Sequence, residues 1–281
     1  YGVGKNNDIH LMKHLTFPHS LGLLYSTITA YLGFSVNNSE YKVMGLASYG
    51  IMNREKNLYY KKLLNVIDIK KDGSFCFDLS YFSFQFADHM PSKKLCKLLG
   101  GPIMPRNAKM TERNKNIAAA LQMIIEDVLT KMLIHVHKET KKDNLVLAGG
   151  VALNSVYNGK ILRQTPFKNI WIQPNASDGG TSVGVASYVY NVILGNKRNY
   201  VMKDAYLGPG FSNKEIKHFL DKNKINYTTF TNDNNLVKTT ADLINKNTVV
   251  GWFQGRMEWG PRALGARSIL ANSSNPKAKE L

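Results

Sequence analysis

"NLVLAGGVALNSVYNGKILRQ", Asn144 to Gln164, is the stretch on which the fold turns. Leu145-Val146-Leu147 is an apolar run closed by Gly149-Gly150, so it reads as a buried strand ending in two glycines. Val151 to Gln164 reads as a helix. "NIWIQP" (169–174) is a second such strand, and "NASDGGTSVGVASYVYNVIL" (175–194) is a loop feeding another helix. Strands alternating with helices predict an α/β class with parallel strands.

Working outward, "NKNIAAALQMIIEDVLTKMLIHVHKETKK" (114–142) is the strongest periodic segment. Ile117, Leu121, Ile124, Ile125, Val128, Leu129, Met132 and Val136 make one apolar face, with charges opposite. His135 and His137 lie on different faces and read as surface residues. Nearer the start, "YGVGKNNDIHLM" (1–12) reads as a hairpin. "FPHSLGLLYSTITAYLGF" (17–34) reads as a helix capped at Ser20, and "NNSEYKVMGLASYG" (37–50) as a short helix with Glu40 and Lys42 near its start. Asn57 to Leu98 is mixed, with a hairpin at "KKDGSFCFD" (70–78), and suggests an insertion or cap. "NYVMKDAYLGPGFSN" (199–213) reads as a linker with a boundary near Tyr206, giving domains 1–205 and 206–281. The second opens on a capped helix, followed by a helix and the strand "TVVGWF" (248–253).

Thirty-seven lysines and arginines stand against 20 acidic residues, a formal charge of +17. The lysines are spread out among asparagines, without a dense basic block or aromatic interleaving, so nucleic acid is not an expected partner. No apolar run has the length of a membrane span and no targeting peptide is visible. Two cysteines in no metal-type spacing fit a reduced, cytoplasmic setting. The chain opens on Tyr1 and closes in "NPKAKEL", read as polar helix, so the sequence reads as a fragment cut at both ends.

The chemistry-bearing motifs are glycine turns and arginines. Gly149-Gly150 and Asp178-Gly179-Gly180 each follow a strand, where open α/β sheets bind ligands and where a backbone without Cβ atoms lets a nucleotide approach. Ordinary turns and caps are the competing reading. By residue type alone, Glu40 and Lys42 are a solvated helix start. His10 and His14 have helical metal spacing but lack the glutamate of a zinc-protease helix, and are set aside. "GWFQGRMEWGPRALGARSIL" (251–270) holds three arginines around a turn. Gly260-Pro261 places proline at a first helical position, so Arg262 falls in a helix's first turn, where a cation makes sense beside an anion. Arg256, Arg267 and Ser268 add donors, and Glu258 is expected to pair with an arginine or orient a ligand amide. On a continuous helix Arg262 and Arg267 diverge, so both reach one ligand only if Gly265 breaks the turn.

Together "FPHSLGLLYSTITAYLGF", "SEYKVMGLASYG", "LAGGVALNSVYNGKI", "QPNASDGGTSVGVA" and "GWFQGRMEWGPRALGARSIL" resemble, in order and spacing, the O-carbamoyltransferases of antibiotic and nodulation-factor biosynthesis. The resemblance implies a partial actin/hexokinase-like ATPase domain, followed by the start of a domain like the one that makes threonylcarbamoyl-adenylate. It implies that carbamoyl phosphate and ATP give carbamoyl-adenylate, and that a hydroxyl of a sugar or natural product then takes the carbamoyl group. Carried over, Gly149, Gly150, Asn154 and Gly179 match the nucleotide-contacting turns, and Glu40 and Lys42 a segment reaching ribose or phosphate. Asp178 matches a carboxylate for a divalent metal, with iron, zinc or manganese open. Arg256, Arg262, Arg267 and Ser268 match a carbamoyl-phosphate site. The family's metal histidines and catalytic region belong upstream of Tyr1, so the 281 residues alone are expected to be inactive. A homodimer is left open. The rival readings are a tRNA threonylcarbamoyl-transfer enzyme, against which the arginine motif argues, and a non-catalytic nucleotide-binding protein of the same fold.

Overall fold

The computed structural model describes residues 1–278. It is mixed α/β, with two-stranded sheets among helices. The chain divides into two units, Tyr1–Gly195 and Asn196–Leu281.

The first unit opens with the antiparallel hairpin β1 (Gly2–Lys5) and β2 (Asp8–Leu11). Helix α1 (Leu21–Tyr31) follows, and the Ser20 hydroxyl accepts from the Leu23 N–H at its N-terminus. Then come α2 (Glu40–Ala47), α3 (Leu58–Leu63), the hairpin of β3 (Ile67–Ile69) and β4 (Phe75–Phe77), and α4 (Lys93–Leu99). The 29-residue α5 (Glu112–Thr140) is the spine. Thr111 and Asn114 satisfy each other's backbone N–H groups at its start, and Lys141 in the left-handed region ends it.

Leu24, Ile28, Tyr31 and Leu32 pack with Ile117, Leu121, Ile124, Ile125 and Val128 in one core. Ile67, Phe75, Phe77, Leu95 and Leu99 belong to that same core, so the 57–98 region is integral to the unit and not a cap on it. The reason is close backbone approach. Gly73, at φ +82°, brings the β3–β4 turn so near α5 that an added Cβ would lie 2.2 Å from the Met132 nitrogen. Residues Ile117 to Glu126 of α5 are buried all round except for the charge-bearing end that follows, so its middle is wider than one apolar face.

A second cluster joins Leu133 and Val136 of α5 to Leu145, Tyr157, Ile161 and Phe167. It seats β5 (Asn144–Leu147), which is parallel to the later strand at Asn169–Ile172. Only Leu145 of β5 is buried, and Val146 is 67% exposed, so the expected fully buried strand has one open face. Val151–Gln164 is not one helix. It breaks into a 3-10 turn (Gly150–Leu153), α6 (Ser155–Asn158) and α7 (Ile161–Gln164), because the Asn154 side chain accepts from the Tyr157 N–H and starts a new helix. Then come β6 (Asn169–Ile172) and α8 (Thr181–Tyr188), the latter without buried side chains.

The second unit holds α9 (Asn213–Lys222), α10 (Asp233–Asn245) and the antiparallel pair β7 (Val250–Phe253) and β8 (Arg267–Leu270). Ser212 and Glu215 form a capping box at α9, as the sequence suggests. Part of the expected linker is ordered: Gly208 donates to the Met257 carbonyl, Met257 to Pro209 and Trp259 to Ala205, at 2.9, 3.1 and 2.6 Å. The "NPKAKEL" reading falls partly on 279–281, outside the described residues.

Two glycine substitutions test the role of α5. Gly73→Ala is expected to cost about 2 kcal/mol or more, from a strained φ and the clash with α5. Gly45→Ala, inside α2 with nothing within 4 Å of the new Cβ, is expected to stabilise by about 0.5–1 kcal/mol. Urea midpoints of the two variants moving in the same direction would contradict the close approach.

Candidate functional site

The first unit places Gly149, Gly150, Asp178 and Gly179 past the carboxyl ends of β5 and β6, whereas Glu40 and Lys42 stand on α2. Parallel register, with Leu147 opposite Ile172, puts both strand ends on one edge. There the Gly149 N–H donates to the Ala176 carbonyl at 2.6 Å, so the two glycine turns run side by side. Their glycines serve different purposes. Gly149 sits at φ +98° with nothing within 4 Å of an added Cβ, so its backbone is open to an approaching group. An added Cβ on Gly180 would fall 2.1 Å from the Asn175 carbonyl oxygen, and one on Gly179 would fall 2.5 Å from the Asn175 side-chain nitrogen. Those two are close-packing positions that fold the second turn tightly. Asp178 stands exposed at its apex, and its main-chain oxygen accepts from the Thr181 hydroxyl at 2.6 Å.

Around these turns the polar side chains are already engaged. Glu40 accepts from the backbone N–H groups of Asn37 (2.8 Å) and Ser39 (3.2 Å) and from the Ser26 hydroxyl (3.0 Å), and so holds the start of α2. Lys42 is exposed, with its Nζ 5.9 Å from the Tyr41 ring centroid. Helix α2 reaches the turn's continuation where the Ser155 hydroxyl meets Met44 Sδ at 3.8 Å. Asn154 is buried and faces α5, where it exchanges two hydrogen bonds with Gln122 at 2.9 and 3.2 Å. Gln122 also donates to Glu126 at 3.0 Å, and Lys160 Nζ lies 2.6 Å from the same carboxylate. Burial, reinforced by the Glu126 charge, pushes the neighbouring Tyr157 phenol up to about 12. The sequence reading had passed over this network. Its signal is Gln122, Glu126 and Thr130 recurring every four residues beside the apolar face of the helix.

Among the described residues no group of three or more His, Cys, Asp or Glu side chains could hold a metal ion. His10 lies on β2 and His14 follows it, and neither joins Asp178 in such a group. Three or four protein donors are the usual requirement, so Asp178 with these residues does not complete a metal site.

In the second unit the arginine stretch is a loop between β7 and β8, not a helix. Gly260 and Gly265 take φ of +128° and +114°, outside the helical region. The buried Glu258 carboxylate then accepts from the Leu264 and Ala266 N–H groups at 2.6 and 2.7 Å, and the loop closes around it. Pro261 therefore opens no helix, and Arg262 has no helix dipole to face. Gly265 does break the chain, as joint use of Arg262 and Arg267 requires. Arg267 Nε lies 3.2 Å from Glu258, and its guanidinium also donates to the Gly260 and Arg262 carbonyls at 2.6 and 3.4 Å. Arg256 donates to the Gly208 and Leu207 carbonyls at 2.9 and 3.2 Å. Ser268 stands opposite Trp252 in the ladder, and Arg262 is half-buried in the loop. The result is a positively charged loop organised by one carboxylate, suited to oxyanions of phosphate type.

Burial alone would push the Glu258 carboxyl up. The backbone N–H groups of Leu264, Glu258, Ala266 and Arg267 reverse this and hold it below its ordinary 4.5. A depressed folded pKa adds stability above 4.5 that is lost as pH falls through the folded value. Followed by Trp252 and Trp259 fluorescence, the denaturant midpoint of the natural protein is expected to be flat near neutrality and to fall in acid. Glu258→Gln is expected to lower the neutral midpoint and flatten the acid limb. Parallel acid limbs would remove Glu258 as the loop's organiser.

Comparison with known proteins identifies the family. Residues 1–187 match the family described as carbamoyltransferase N-terminus, and 241–281 match carbamoyltransferase C-terminus. The chain is 43% identical over 277 residues to the uncharacterized protein sll1178 of Synechocystis, covering 97% of this chain and 44% of that one. It is 31% identical over 285 residues to nodulation protein NolO of Bradyrhizobium diazoefficiens (99% and 48%). With nodulation protein NolNO of Sinorhizobium fredii it shares 32% over 273 residues (96% and 37%). The chain thus spans less than half the length of these curated relatives. Matched by both its terminal regions, the chain belongs to the carbamoyltransferase family.

Proposed function

We propose that the protein is an ATP-dependent O-carbamoyltransferase, with a first unit of actin/hexokinase-like descent and a second that resembles an adenylate-forming domain. The reading rests above all on the side-by-side glycine turns, held by the bond from Gly149 to Ala176 at the ends of two parallel strands. Family membership supports it by supplying the transferred group.

In this reading carbamoyl phosphate binds at Arg256, Arg262, Arg267 and Ser268. Water cleaves it to carbamate and phosphate, and the guanidiniums neutralise the departing phosphate. A carbamate oxygen attacks the α-phosphorus of ATP, the bond to the β-phosphate breaks, and pyrophosphate leaves. An acceptor hydroxyl of a sugar or natural product then attacks the carbamoyl carbon. It loses its proton, and AMP departs with the electron pair of the broken C–O bond. In the first unit the Gly149–Gly150 and Gly179 turns give backbone approach to the nucleotide, with Glu40, Lys42 and Asn154 around them. Asp178 keeps one carboxylate beside the turns. Because Glu40 and Asn154 bond the chain itself, they serve by shaping the site.

No helix among the described residues is long and apolar enough to cross a membrane. We assign the reaction to the cytoplasm, where both anionic substrates are available, and leave a homodimer as a question for solution measurement.

Pyrophosphate release by the natural full-length protein, with ATP and carbamoyl phosphate but no acceptor, tests the activation step. Arg262→Ala is expected to lower it by about 100-fold or more. Release that ignores carbamoyl phosphate, or that survives Arg262→Ala, would overturn the assignment of the arginine loop. Threonylcarbamoyl transfer to tRNA would replace this reading by the rival one.

A further inference from the structure

We propose that Gln122 and Glu126 of α5 are positioning residues that hold the turn after β5 in its ligand-binding shape. The proposal rests on the reading that this turn binds nucleotide.

Gln122, Glu126 and Thr130 stand at successive four-residue steps, so they line one stripe of α5. That stripe faces the chain just past Gly149-Gly150. Gln122 exchanges hydrogen bonds with Asn154, Glu126 accepts from Lys160 Nζ, and the Thr130 hydroxyl meets the Tyr157 hydroxyl at 3.2 Å and Gln164 Oε1 at 3.3 Å. Gln122 is 1% exposed, Glu126 5% and Asn154 7%. Apolar side chains of similar volume would bind the two segments at least as tightly, since burying polar and charged groups is costly even when they are paired. What the polar stripe adds is direction. An apolar contact tolerates sliding, whereas the reciprocal amide pair of Gln122 and Asn154 has one register.

Asn154 is where that register matters. It ends the 3-10 turn Gly150–Leu153, and its Oδ1 accepts from the Tyr157 N–H at 3.0 Å, fixing where α6 begins. Three residues separate it from Gly150, whose neighbour Gly149 has open space before it. A turn rich in small residues otherwise samples many shapes, and a ligand would bear the entropy of choosing one. The stripe removes that entropy in advance, from a part of the protein that the ligand never touches. Glu126 and Lys160 compensate each other's charge, so the lock adds no net charge under an anionic ligand.

The test is calorimetric titration of ATP into the natural full-length protein and its variants. Gln122→Met, close in volume, is expected to weaken ATP binding by about tenfold and to raise KM for ATP, with kcat at saturation within about twofold. Glu126→Gln keeps an acceptor and is expected to retain most of the affinity. Lys160→Met, which leaves the Glu126 carboxylate without its cation, is the second cut should Gln122→Met not fold, with an expected loss of about threefold or more. The control is Arg54→Met, which breaks the Arg54–Asp127 pair, a contact of α5 that lies outside the Gln122–Glu126–Thr130 stripe. It is expected to lower the melting temperature without changing ATP affinity. Hydrogen exchange of the Gly150–Leu153 amides should quicken in Gln122→Met and not in Arg54→Met. Wild-type affinity in both Gln122→Met and Lys160→Met would overturn the proposal, as would equal losses of affinity in Arg54→Met at matched stability. An unaltered protein that does not bind ATP would instead remove the nucleotide reading beneath it.

Discussion

Both hydrophobic cores of the first unit are built on α5. The helix is long enough to touch the α1 core at one end and the β5–β6 segment at the other, so the two hydrophobic clusters share one rigid element. Its neighbours come to it by backbone contact as well as side chains. An added Cβ on Gly50 would lie 2.3 Å from the Lys115 carbonyl oxygen, and Gly73 is as tightly placed against Met132. Arg54 and Tyr60 both reach Asp127, and the Asn57 amide donates to the Asn116 carbonyl. A helix held in this way can serve as a reference frame, and the polar stripe passes its position on to the turn after β5.

The second unit solves a related problem by the opposite means. Its loop has three guanidiniums and little apolar surface to bury. A single desolvated carboxylate gathers the backbone donors of Leu264 and Ala266, and Arg267 lies beside it. Carboxylates are well suited to this, since one group can accept several N–H bonds and its charge is worth most away from water. Arg256 ties the same loop to Leu207 and Gly208, so the segment between the two strands is fastened at both sides. A cluster of cations is thereby held in place without a helix. In the proposed reaction that placement matters, because developing phosphate charge is best met by donors that need not move.

The family assignment and the geometry carry different parts of the functional reading. Membership in the carbamoyltransferases supports carbamoyl as the group moved in the proposed reaction. The turns and the arginine loop suggest where a nucleotide and an oxyanion would lie, each within its own unit. The chain spans less than half the length of these curated relatives, so the reaction is proposed for the whole protein.

From the sequence alone one could read the α/β class, the parallel pairing of the strands at 144 and 169, the Ser20 and Ser212 caps, the three hairpin and helix segments before Asn57, and the glycine turns. These are local properties: periodicity, capping and backbone permission act within a few residues, and the side chains that express them are adjacent in the chain. Tertiary structure decided the rest. The 151–164 segment breaks at Asn154, whose side chain caps the Tyr157 N–H and is held by Gln122, far away in sequence. Residues 260–266 failed to form a helix because Glu258 took their N–H groups first, a competition that proline position and dipole arguments do not contain. The 57–98 region joined the core because Gly73 let it approach Met132. In each case side-chain and backbone contacts made on folding outweigh a local preference of about a kilocalorie, and only the folded chain shows which contacts form.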